Sequence, residues 1–409
     1  MMRERAVTAA CLLLVLALPG QADWTSIGPE GGQIYSGAVT VGAAPELFVG
    51  SINTNFPLLR STDRGASWFL TGGTLANYPQ QLAAHPTNPD IMYGVASSQF
   101  YRTTNRGATW SAFSLGSNTN GNDIAINPHN PQVIYVPCYR WDGSAWRMVS
   151  AKSTNGGVNW TVTQLDTFAS TTIYSAAVDP VDTNVVYMGC YAASMTSVYK
   201  STDRGATWTK HDFPTNAYYV YSLLVDPSNR NVFAGTLYGV YRSTDLGQTW
   251  TRQSTNNYNY RLVFAPSDSN YMFSASYSYV YRSTDRGLTW HISSSGIQGT
   301  NIRTVLVDPT EPGAVYCGST AGMFKSTNYG TSWQAVNNGI VIGRIPTLAV
   351  NPHEPATVWA EFADNDLFKT TDNGATWAPQ STPLSCGNIC GIGFDPADPQ
   401  RIWMLEGSG

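Results

Sequence analysis

Short apolar runs alternate with turn residues along almost the whole chain. A first run ends in an Asp-Pro or Asn-Pro turn, as in YSAAVDP (174–180) and RTVLVDP (303–309). A second run follows, such as VVYMG (185–189), and a third leads into a Ser/Thr turn, as in VYKST (198–202). A fourth begins at a tryptophan. Val, Tyr, Thr and Phe between Pro, Gly and Asn turns are typical of strands. The pattern therefore predicts units of four short β-strands, named A to D.

One motif recurs eight times between strands C and D. In KSTDRGATW (200–208) an aspartate precedes a glycine by two positions and a tryptophan by five. Successive tryptophans of the motif lie 40 to 50 residues apart, which is the period of a propeller blade of four strands. The copies end at Trp68, Trp110, Trp160, Trp208, Trp250, Trp290, Trp333 and Trp377.

The acidic position of the motif is interpreted as a hairpin clamp. Its side chain can accept hydrogen bonds from backbone N–H groups of the turn, and the glycine supplies a positive φ. Three copies carry asparagine, which keeps the acceptor and loses the charge and the titratable proton. That exchange argues against a metal ligand or a general acid. The eight positions are Asp63, Asn105, Asn155, Asp203, Asp245, Asp285, Asn328 and Asp372.

This S-x-D-x-G-x-T-W pattern resembles the Asp-box, or BNR, repeat, and it extends over nearly the whole chain after residue 22. Sialidases, xyloglucan-active endoglucanases, sortilin-type receptors and photosystem II assembly factors carry the repeat. The resemblance implies a β-propeller whose Asp boxes lie at the blade periphery, away from the ligand-binding face. It leaves the function open, because one fold hosts many functions.

The strand count sets the expected architecture. Eight complete units run from near Ile34 to Trp377, and two further strands follow at 388–396 and 401–407. A strand-D-like segment, DWTSIG (23–28), precedes the first unit. We therefore expect an all-β fold with one propeller of eight or nine four-stranded blades over residues 23–409. Its last blade is either incomplete or cut short by a truncated gene product.

The first 22 residues match a secretory signal peptide. Arg3 and Arg5 precede the apolar run Ala6–Leu18, and Gly20–Ala22 places small residues before Asp23. The run is too short for a good membrane span, and no later run approaches that length. The mature chain is therefore expected to be secreted or periplasmic, without a transmembrane anchor.

Composition and cysteines narrow the possible partners. Charged residues make up 12% of the chain and the net charge is −4, without a basic block, so a nucleic-acid partner is not expected. Cys386 and Cys390 are close enough in sequence to form a disulfide, whereas Cys138, Cys190 and Cys317 are expected to be buried free thiols. The His and Cys spacings fit no metal site, and no cofactor motif is present.

The face opposite the Asp-box turns is the expected binding face. It would be formed by the B-to-C and D-to-A loops. The longest B-to-C loop, CYRWDGSAWRM (138–148), supplies the binding candidates, and the D-to-A segments 216–221 and 256–261 add tyrosines. The aromatic rings can stack on sugars or pack the loop onto a neighbouring blade, and both alternatives remain open. The binding candidates are Tyr139, Arg140, Trp141 and Trp146.

A glycosidase usually needs two carboxylates about 5–10 Å apart. The densest acidic run on these loops is EFADND (361–366), although a charged loop is more often only solvated. The catalytic candidates are Glu361, Asp364 and Asp142, and Glu30, Asp212 and Asp366 lie on loops of the same type.

The resemblance weakens the enzyme interpretation. Arg344–Pro346 resembles the Arg-Ile-Pro motif of sialidases but falls in the eighth unit. The loop that would hold the catalytic aspartate of xyloglucan-active enzymes is SINTNFP (51–57), which has no carboxylate. We therefore expect an exported binding or scaffolding module whose partner is a glycan or another extracytoplasmic protein. The alternative is a secreted glycoside hydrolase.

Overall fold

The chain is built from β-strands. The computed structural model describes residues 32–406 except 52–57, 73–74, 76, 167–171, 193, 216, 267, 339, 341–346, 363–365, 375, 381–388, 395–397 and 399–400. Within the described residues, 35 strands and no helix are present. The strands form nine antiparallel sheets in sequence order, and each sheet is one blade.

Blades 1 to 4 each pair their strands in the order A, B, C, D, and blade 3 carries an extra short strand, β9, beside its strand B. Blade 1 contains β1 (Ile34–Val39), β2 (Leu47–Ser51), β3 (Leu58–Ser61) and β4 (Phe69–Leu70). Blade 2 contains β5 (Gln81–Ala84), β6 (Met92–Ala96), β7 (Gln99–Thr103) and β8 (Ser111–Ser114). Blade 3 contains β9 (Thr119–Gly121), β10 (Ala125–Ile126), β11 (Ile134–Trp141), β12 (Trp146–Ser153) and β13 (Thr161–Gln164). Blade 4 contains β14 (Thr172–Val178), β15 (Val186–Ala192), β16 (Met195–Ser201) and β17 (Thr209–Asp212).

Blades 5 to 8 repeat the four-stranded order, and two strands of blade 9 are described. Blade 5 contains β18 (Val220–Val225), β19 (Val232–Thr236), β20 (Gly239–Ser243) and β21 (Thr251–Arg252). Blade 6 contains β22 (Arg261–Ala265), β23 (Asp268–Ala275), β24 (Val280–Ser283) and β25 (His291–Ile292). Blade 7 contains β26 (Thr304–Val307), β27 (Val315–Ser319), β28 (Gly322–Ser326) and β29 (Gln334–Ala335). Blade 8 contains β30 (Thr347–Val350), β31 (Val358–Phe362), β32 (Asp366–Thr370) and β33 (Ala378–Gln380), and blade 9 contains β34 (Ile389–Phe394) and β35 (Ile402–Glu406).

The core lies between neighbouring blades. Strand B is buried along its whole length in blades 1, 2, 5 and 7. Its aromatic side chains, such as Phe48, Tyr187 and Tyr316, are fully enclosed. Because successive side chains of a strand point to opposite faces, both faces of a blade carry apolar residues toward its neighbours. The sheets therefore stack face to face around an axis.

The ring closes between blade 7 and blade 1. Strand β1 packs against β5 of blade 2 on one side and against β26 and β27 of blade 7 on the other. Trp68 of blade 1 donates from its indole Nε1 to the carbonyl of Val336, at 2.7 Å, and from its backbone N–H to the carbonyl of Asn338, at 2.8 Å. Arg64 of blade 1 forms an ion pair with Glu311 of blade 7, at 3.2 Å.

The closing boundary shares one hydrogen bond with two other boundaries between blades. The hydroxyl of Tyr316 in blade 7 donates to the carbonyl of Arg64 in blade 1, at 3.2 Å. The same bond joins Tyr187 to the turn of blade 5, at 3.2 Å, and Tyr135 to the turn of blade 4, at 3.0 Å. Blade 1 thus meets blade 7 as blade 4 meets blade 3 and as blade 5 meets blade 4.

The all-β propeller with Asp-box hairpins expected from the sequence is confirmed. The ring, however, contains seven of the nine sheets, and not the eight or nine blades expected from the number of motifs. The physical reason is that strand A of blade 7, β26, packs directly against strand A of blade 1, β1, so the ring is closed by seven blades.

Blades 8 and 9 pack against each other beside the ring. Strand β30 and strand β31 lie against β34. Large apolar side chains on these two blades are exposed, including Leu348 (60%) and Trp403 (65%). Exposure of this kind contrasts with the buried strands of the ring, where each blade has a neighbour on both faces.

The Asp-box residues sit in the C-to-D turns. Oδ1 of Asp203 accepts the backbone N–H of Thr207 at 2.8 Å and the hydroxyl of Ser201 at 2.7 Å. Ser201 Oγ in turn accepts the N–H of Gly205, at 2.7 Å. Two consecutive residues of the turn have positive φ, Arg204 (61°) and Gly205 (81°). The side-chain bonds hold this left-handed pair in place.

Asparagine makes the same bonds. Oδ1 of Asn105 accepts the N–H of Thr109 at 2.9 Å, and Oδ1 of Asn328 accepts the N–H of Ser332 at 2.9 Å. Their Nδ2 groups donate to the hydroxyls of Thr109 and Ser332, both at 2.9 Å. The hairpin therefore needs an acceptor at this position and does not need a charge.

The cysteines that lie in the ring are buried thiols. Cys138, Cys190 and Cys317 are free and fully buried, which raises the pKa of each thiol above its usual value. The pairing considered for Cys386 and Cys390 involves residue 386, which lies outside the described residues.

Candidate functional site

A cavity of about 580 Å³ opens at the centre of the ring on the face opposite the Asp boxes. This size is typical of small-ligand sites. We call the cavity the mouth, and each of the seven blades contributes to its wall. Its lining residues are Tyr35, Gln80, Gln81, Asn122, Asp123, Tyr139, Trp146, Thr172, Tyr174, Tyr221, Tyr260, Arg261 and Arg303.

One lining position is equivalent in all seven blades. It lies five residues before the residue that leads the A-to-B turn, as Tyr221 lies before Asp226 and Arg303 before Asp308. The start of strand A therefore brings one side chain per blade to the axis. The seven residues are Tyr35, Gln80, Asn122, Tyr174, Tyr221, Tyr260 and Arg303.

Three of these positions are β-bulges. The register of strand A against strand B shifts between Ile34 and Ser36, between Ile173 and Ser175, and between Val220 and Ser222. The residue skipped in each pair is a tyrosine: Tyr35, Tyr174 and Tyr221, respectively. A bulge re-aims a side chain and is frequent beside functional sites. Here it accompanies the placement of the three rings in the mouth.

The long hairpin of blade 3 supplies two further rings. Strands β11 and β12 pair from Ile134↔Ser153 to Trp141↔Trp146, and β9 supports them by pairing Asn120 with Tyr139. Tyr139 and Trp146 line the mouth. Their ring centroids are 5.1 Å apart, in an edge-to-face arrangement.

The other two binding candidates on this hairpin take different positions. Trp141 is 39% exposed and packs edge-to-face on Trp146, with 5.6 Å between ring centroids, behind the lining residues. Arg140 pairs with Arg147 in the ladder and is not a lining residue. Because neighbouring residues of a strand point to opposite faces, Arg140 cannot share the face of Tyr139 and Trp141.

An ion pair lies in the wall of the mouth. Nη1 of Arg261 is 3.6 Å from Oδ1 of Asp123, a buried carboxylate that also accepts the backbone N–H groups of Ile124 (2.8 Å) and Ala176 (3.1 Å). When the side-chain amide of Gln81 is oriented with its oxygen toward Arg261, Oε1 accepts from Nη1 at 2.5 Å and from Nη2 at 2.9 Å. Burial raises the pKa of Asp123, and Arg261 opposes that shift. Both charges are thus engaged with each other and with Gln81.

A second guanidinium lies between aromatic rings. The Cζ of Arg303 is 4.0 Å from the ring centroid of Tyr260 and 5.1 Å from that of Tyr35. Its Nε donates to Oδ1 of Asn301, at 2.8 Å. Stacking of this kind stabilises the cation and fixes its plane.

Aromatic rings continue outward from the mouth over blades 4 to 6. Tyr221 contacts Tyr260 at 5.1 Å between centroids, Tyr260 contacts Tyr258 at 5.8 Å, and Tyr258 contacts Tyr277 at 5.8 Å. Another path runs through Tyr174, Tyr219, Tyr191, Tyr218 and Tyr238. The D-to-A segments noted in the sequence thus form an aromatic surface together with tyrosines of the B-to-C loops. Its exposed tyrosines are Tyr218, Tyr238, Tyr258 and Tyr277.

Two of these tyrosines have unusual backbone conformations. Tyr218 and Tyr258 have φ values of 58° and 57°, in the left-handed region that bulky side chains rarely adopt. Strain of this kind costs about 1–3 kcal/mol and clusters at ligand-binding sites. The chain therefore keeps two exposed rings on this surface at a conformational cost.

Four phenols of the mouth remain protonated. Burial raises the pKa of Tyr260 to about 12, against the opposing effect of Arg303. Burial likewise raises the pKa values of Tyr139, Tyr174 and Tyr221. These side chains accordingly present hydroxyl donors and apolar ring faces at any physiological pH.

Most of the carboxylate candidates lie away from this wall. Asp142 caps the tip of the blade-3 hairpin, where it accepts from Ser144 and from Arg147 Nε (2.6 Å), and Arg147 lowers the pKa of its carboxyl. Asp212 accepts from Ser197 and pairs with Lys210 at 2.9 Å. Glu361 is buried in β31 of blade 8, outside the ring.

None of the remaining sequence candidates is among the described residues that line the mouth. Asp366 begins β32 of blade 8. Glu30, Asp364, the segment Arg344–Pro346 and most of the loop 51–57 lie outside the described residues. In the part of the chain that is described, no group of three or more His, Cys, Asp or Glu side chains is arranged to hold a metal. No helix among those residues has the length and apolar composition needed to cross a membrane.

Sequence reasoning missed the axial ring of seven positions. It assigned the segments that contain Tyr221 and Tyr260 to the binding face, but it did not assign Tyr35, Gln80, Asn122, Tyr174 or Arg303 to that face. The sequence does contain a signal for these positions, because the A-to-B turn can be recognised in each blade and the lining residue lies five positions before it. Aligning the repeats on that turn would have identified the set.

Comparisons with known proteins give the same fold. The family model described as "Sortilin, neurotensin receptor 3" matches residues 57–171. No curated protein matches the chain.

Solved structures of GH74 enzymes are similar over most of the chain. The GH74 enzyme of Niastella koreensis is 17% identical with a TM-score of 0.62, over 93% of this chain and 70% of that one. The GH74 xyloglucanase of Xanthomonas campestris is 12% identical with a TM-score of 0.64, over 91% and 71%. An ancestral GH74 enzyme is 17% identical with a TM-score of 0.62, over 94% and 67%.

Identities this low support the fold and not an activity. The resemblance to Asp-box propellers that the motif indicated is nevertheless confirmed: this chain has the β-propeller fold with Asp-box hairpins, and it is similar to the sortilin family model over residues 57–171 and to GH74 propellers over most of its length.

Proposed function

We propose that this protein is an exported binding module that holds a glycan in the mouth of its propeller ring. The observation that supports the proposal is the ring of axial side chains, in which four tyrosines, two amides and one arginine surround one cavity. Residues 1–22 act as the signal peptide in this proposal, and the propeller works outside the cytoplasm.

The wall of the mouth matches the chemistry of a sugar. A pyranose has apolar C–H faces and a rim of hydroxyls. Rings such as Tyr139, Trp146 and Tyr221 offer stacking surfaces, and the protonated phenols of the two tyrosines can donate hydrogen bonds. Gln80 Oε1 is buried and has no hydrogen-bond partner among the described residues, so it is available to accept from a ligand hydroxyl.

The exposed tyrosines extend this surface beyond one sugar. The chain of ring contacts from Tyr221 through Tyr260 and Tyr258 to Tyr277 leads out of the cavity across blade 6. Rigid aromatic side chains give large contact area at low conformational-entropy cost. An oligosaccharide longer than the cavity would therefore find further contacts in that direction.

The same geometry favours binding over hydrolysis at this mouth. Glycosidases ordinarily use two carboxylates, one as acid and one as base or nucleophile. Among the described lining residues the mouth has one carboxylate, Asp123, which is buried and engaged with Arg261 and two backbone amides. A secreted glycoside hydrolase, the alternative from the sequence, would have to place its carboxylate pair elsewhere.

Affinity gel electrophoresis tests the proposal. Migration of the protein is compared in gels with and without neutral and acidic plant and bacterial polysaccharides. At least one polysaccharide should retard the wild-type protein. Trp146→Ala should weaken that binding about 5- to 30-fold, because truncating an interface aromatic commonly costs about 1–2 kcal/mol.

The matched control is Trp403→Ala, an exposed tryptophan on blade 9. It should bind like the wild type. Migration that no polysaccharide alters, or equal losses in the two variants, would overturn the proposal.

A further inference from the structure

The mouth carries one excess positive charge in a chain of net charge −4. Its charged lining residues are Asp123, Arg261 and Arg303, which sum to one negative and two positive charges. Asp123 and Arg261 offset each other across 3.6 Å. The excess charge is therefore on Arg303.

Among the described residues, Arg303 has no counter-ion. Its Nε is engaged by Asn301, and its plane lies between the rings of Tyr260 and Tyr35. Nη1 lies 3.5 Å from the hydroxyl of Tyr35, and Nη2 faces no hydrogen-bond partner among the described residues. Within the same residues, no carboxylate lies within ion-pair distance of this guanidinium.

The two arginines of the mouth thus differ in role. Arg261 is occupied by Asp123 and Gln81, as expected of a group that shapes the wall. Arg303 lines the cavity and has no ion-pair partner among the described residues. A guanidinium pairs best with a planar carboxylate through two parallel hydrogen bonds.

We propose that the ligand of the mouth is an acidic glycan, and that a uronic-acid residue places its carboxylate on Arg303 while its ring stacks on the neighbouring tyrosines. The inference rests on the proposed glycan-binding function and names the class of sugar. Because Tyr35 and Tyr260 flank Arg303, the carboxylate and the sugar ring bind side by side.

The experiment compares polysaccharides that differ only in charge. Affinity gels contain polygalacturonate, alginate or glucuronoxylan, and parallel gels contain the methyl esters of the same polymers. An acidic polymer should retard the protein, and its methyl ester should do so at least about 10-fold less, since a hydrogen bond to a charged group is worth about 1.5–3 kcal/mol. Raising the salt concentration should weaken the acidic interaction, because the mouth is open to solvent.

Variants of the arginine locate the effect. Arg303→Gln should bind the acidic polymer about 10- to 100-fold more weakly and should no longer distinguish it from its ester. Arg303→Lys keeps the charge but not the planar fork, so it should keep a reduced preference for the acid. The control Arg252→Gln changes an exposed arginine on strand D of blade 5, and it should behave as the wild type. Unchanged melting temperatures show that the variants are folded.

The outcomes separate this inference from the proposed function. Equal retardation by acid and ester, or retardation by neutral polymers alone, overturns the acidic ligand and leaves glycan binding standing. Preference for a sulfated galactan over every uronate polymer also overturns it, because the carboxylate is then not the recognised group. If no polymer, neutral or acidic, retards the protein, the proposed function itself is refuted.

Discussion

The Asp-box turn of blade 4 allows the hairpin-clamp interpretation to be tested by an isosteric pair of substitutions. Asp203 accepts the N–H groups of Ala206 and Thr207 and the hydroxyls of Ser201 and Thr207. Asp203→Asn keeps Oδ1 as the acceptor, and its Nδ2 can donate to Thr207 as that of Asn105 donates to Thr109. Asp203→Ala removes every one of these bonds.

The magnitudes follow from the number of bonds and their exposure. Water replaces part of what an exposed acceptor loses, so Asp203→Ala should cost about 1–2 kcal/mol, similar to the loss of a helix N-cap. Asp203→Asn should cost less than about 0.5 kcal/mol, because asparagine keeps the hydrogen bonds and loses only the negative charge. For a cooperative ring of about 300 residues, an unfolding entropy of roughly 0.6 kcal/mol/K converts the alanine effect into a melting temperature lower by about 2–3 °C.

The pH dependence gives an independent signature. The hydroxyl of Thr207, its backbone N–H and the hydroxyl of Ser201 hold the pKa of Asp203 down at about 2. The unfolded value is about 3.9, so the carboxylate stabilises the fold above about pH 4, and that contribution is lost as pH falls toward 2. The amide introduced by Asp203→Asn does not titrate. The wild type should therefore lose stability relative to Asp203→Asn between about pH 4 and pH 2.

Differential scanning calorimetry of the three proteins at about pH 7 and along a series from about pH 4.5 to pH 2 measures both effects. A loss in Asp203→Asn equal to that in Asp203→Ala would show that the charge itself is needed. The clamp interpretation would then be wrong, and a metal or proton role for the Asp boxes would have to be reconsidered.

Two further predictions concern the ring. Gly157→Ala should destabilise the protein by about 2–4 kcal/mol, because φ is +90° and the new Cβ would clash with the ring of Phe100 in blade 2. Gly143→Ala, with φ +100° and no atom within 4 Å of the new Cβ, should lose only the stability that the strained backbone conformation costs. Equal shifts of the urea midpoint in the two variants would contradict a clash at Gly157. A variant truncated after Ile340 should keep the main cooperative melting transition, because the ring is closed without blades 8 and 9. Loss of that transition would show that those blades complete the ring.

The repeat unit was predictable because its determinants are local. An acceptor at Asp203, a hydroxyl at Ser201 and a glycine at 205 specify a hairpin within nine residues. The number of blades in the ring was not predictable in that way. Trp68 and Trp377 end equivalent motifs, yet only long-range packing shows that Trp68 meets blade 7. Ring closure depends on the tilt between sheets, which no single motif encodes.

The site was predictable in part for a similar reason. The blade-3 hairpin and the tyrosine-rich segments stand out by length and composition, and they lie on the expected face. Gln80, Asn122 and Arg303 are unremarkable in their own segments and become a group only when seven strands converge on one axis. The bulges that accompany Tyr35 and Tyr174 in the mouth likewise leave no simple trace in the apolar pattern.

Hydrogen–deuterium exchange tests most directly whether the glycan binds in the mouth of the ring. The protein is compared alone and with an oligosaccharide cut from the polysaccharide that retards it in affinity gels. Protection should concentrate in the blade-3 hairpin, residues 134–153, and in the segments 217–221 and 257–261. Protection of the Asp-box turns instead, such as residues 201–208, would contradict the account.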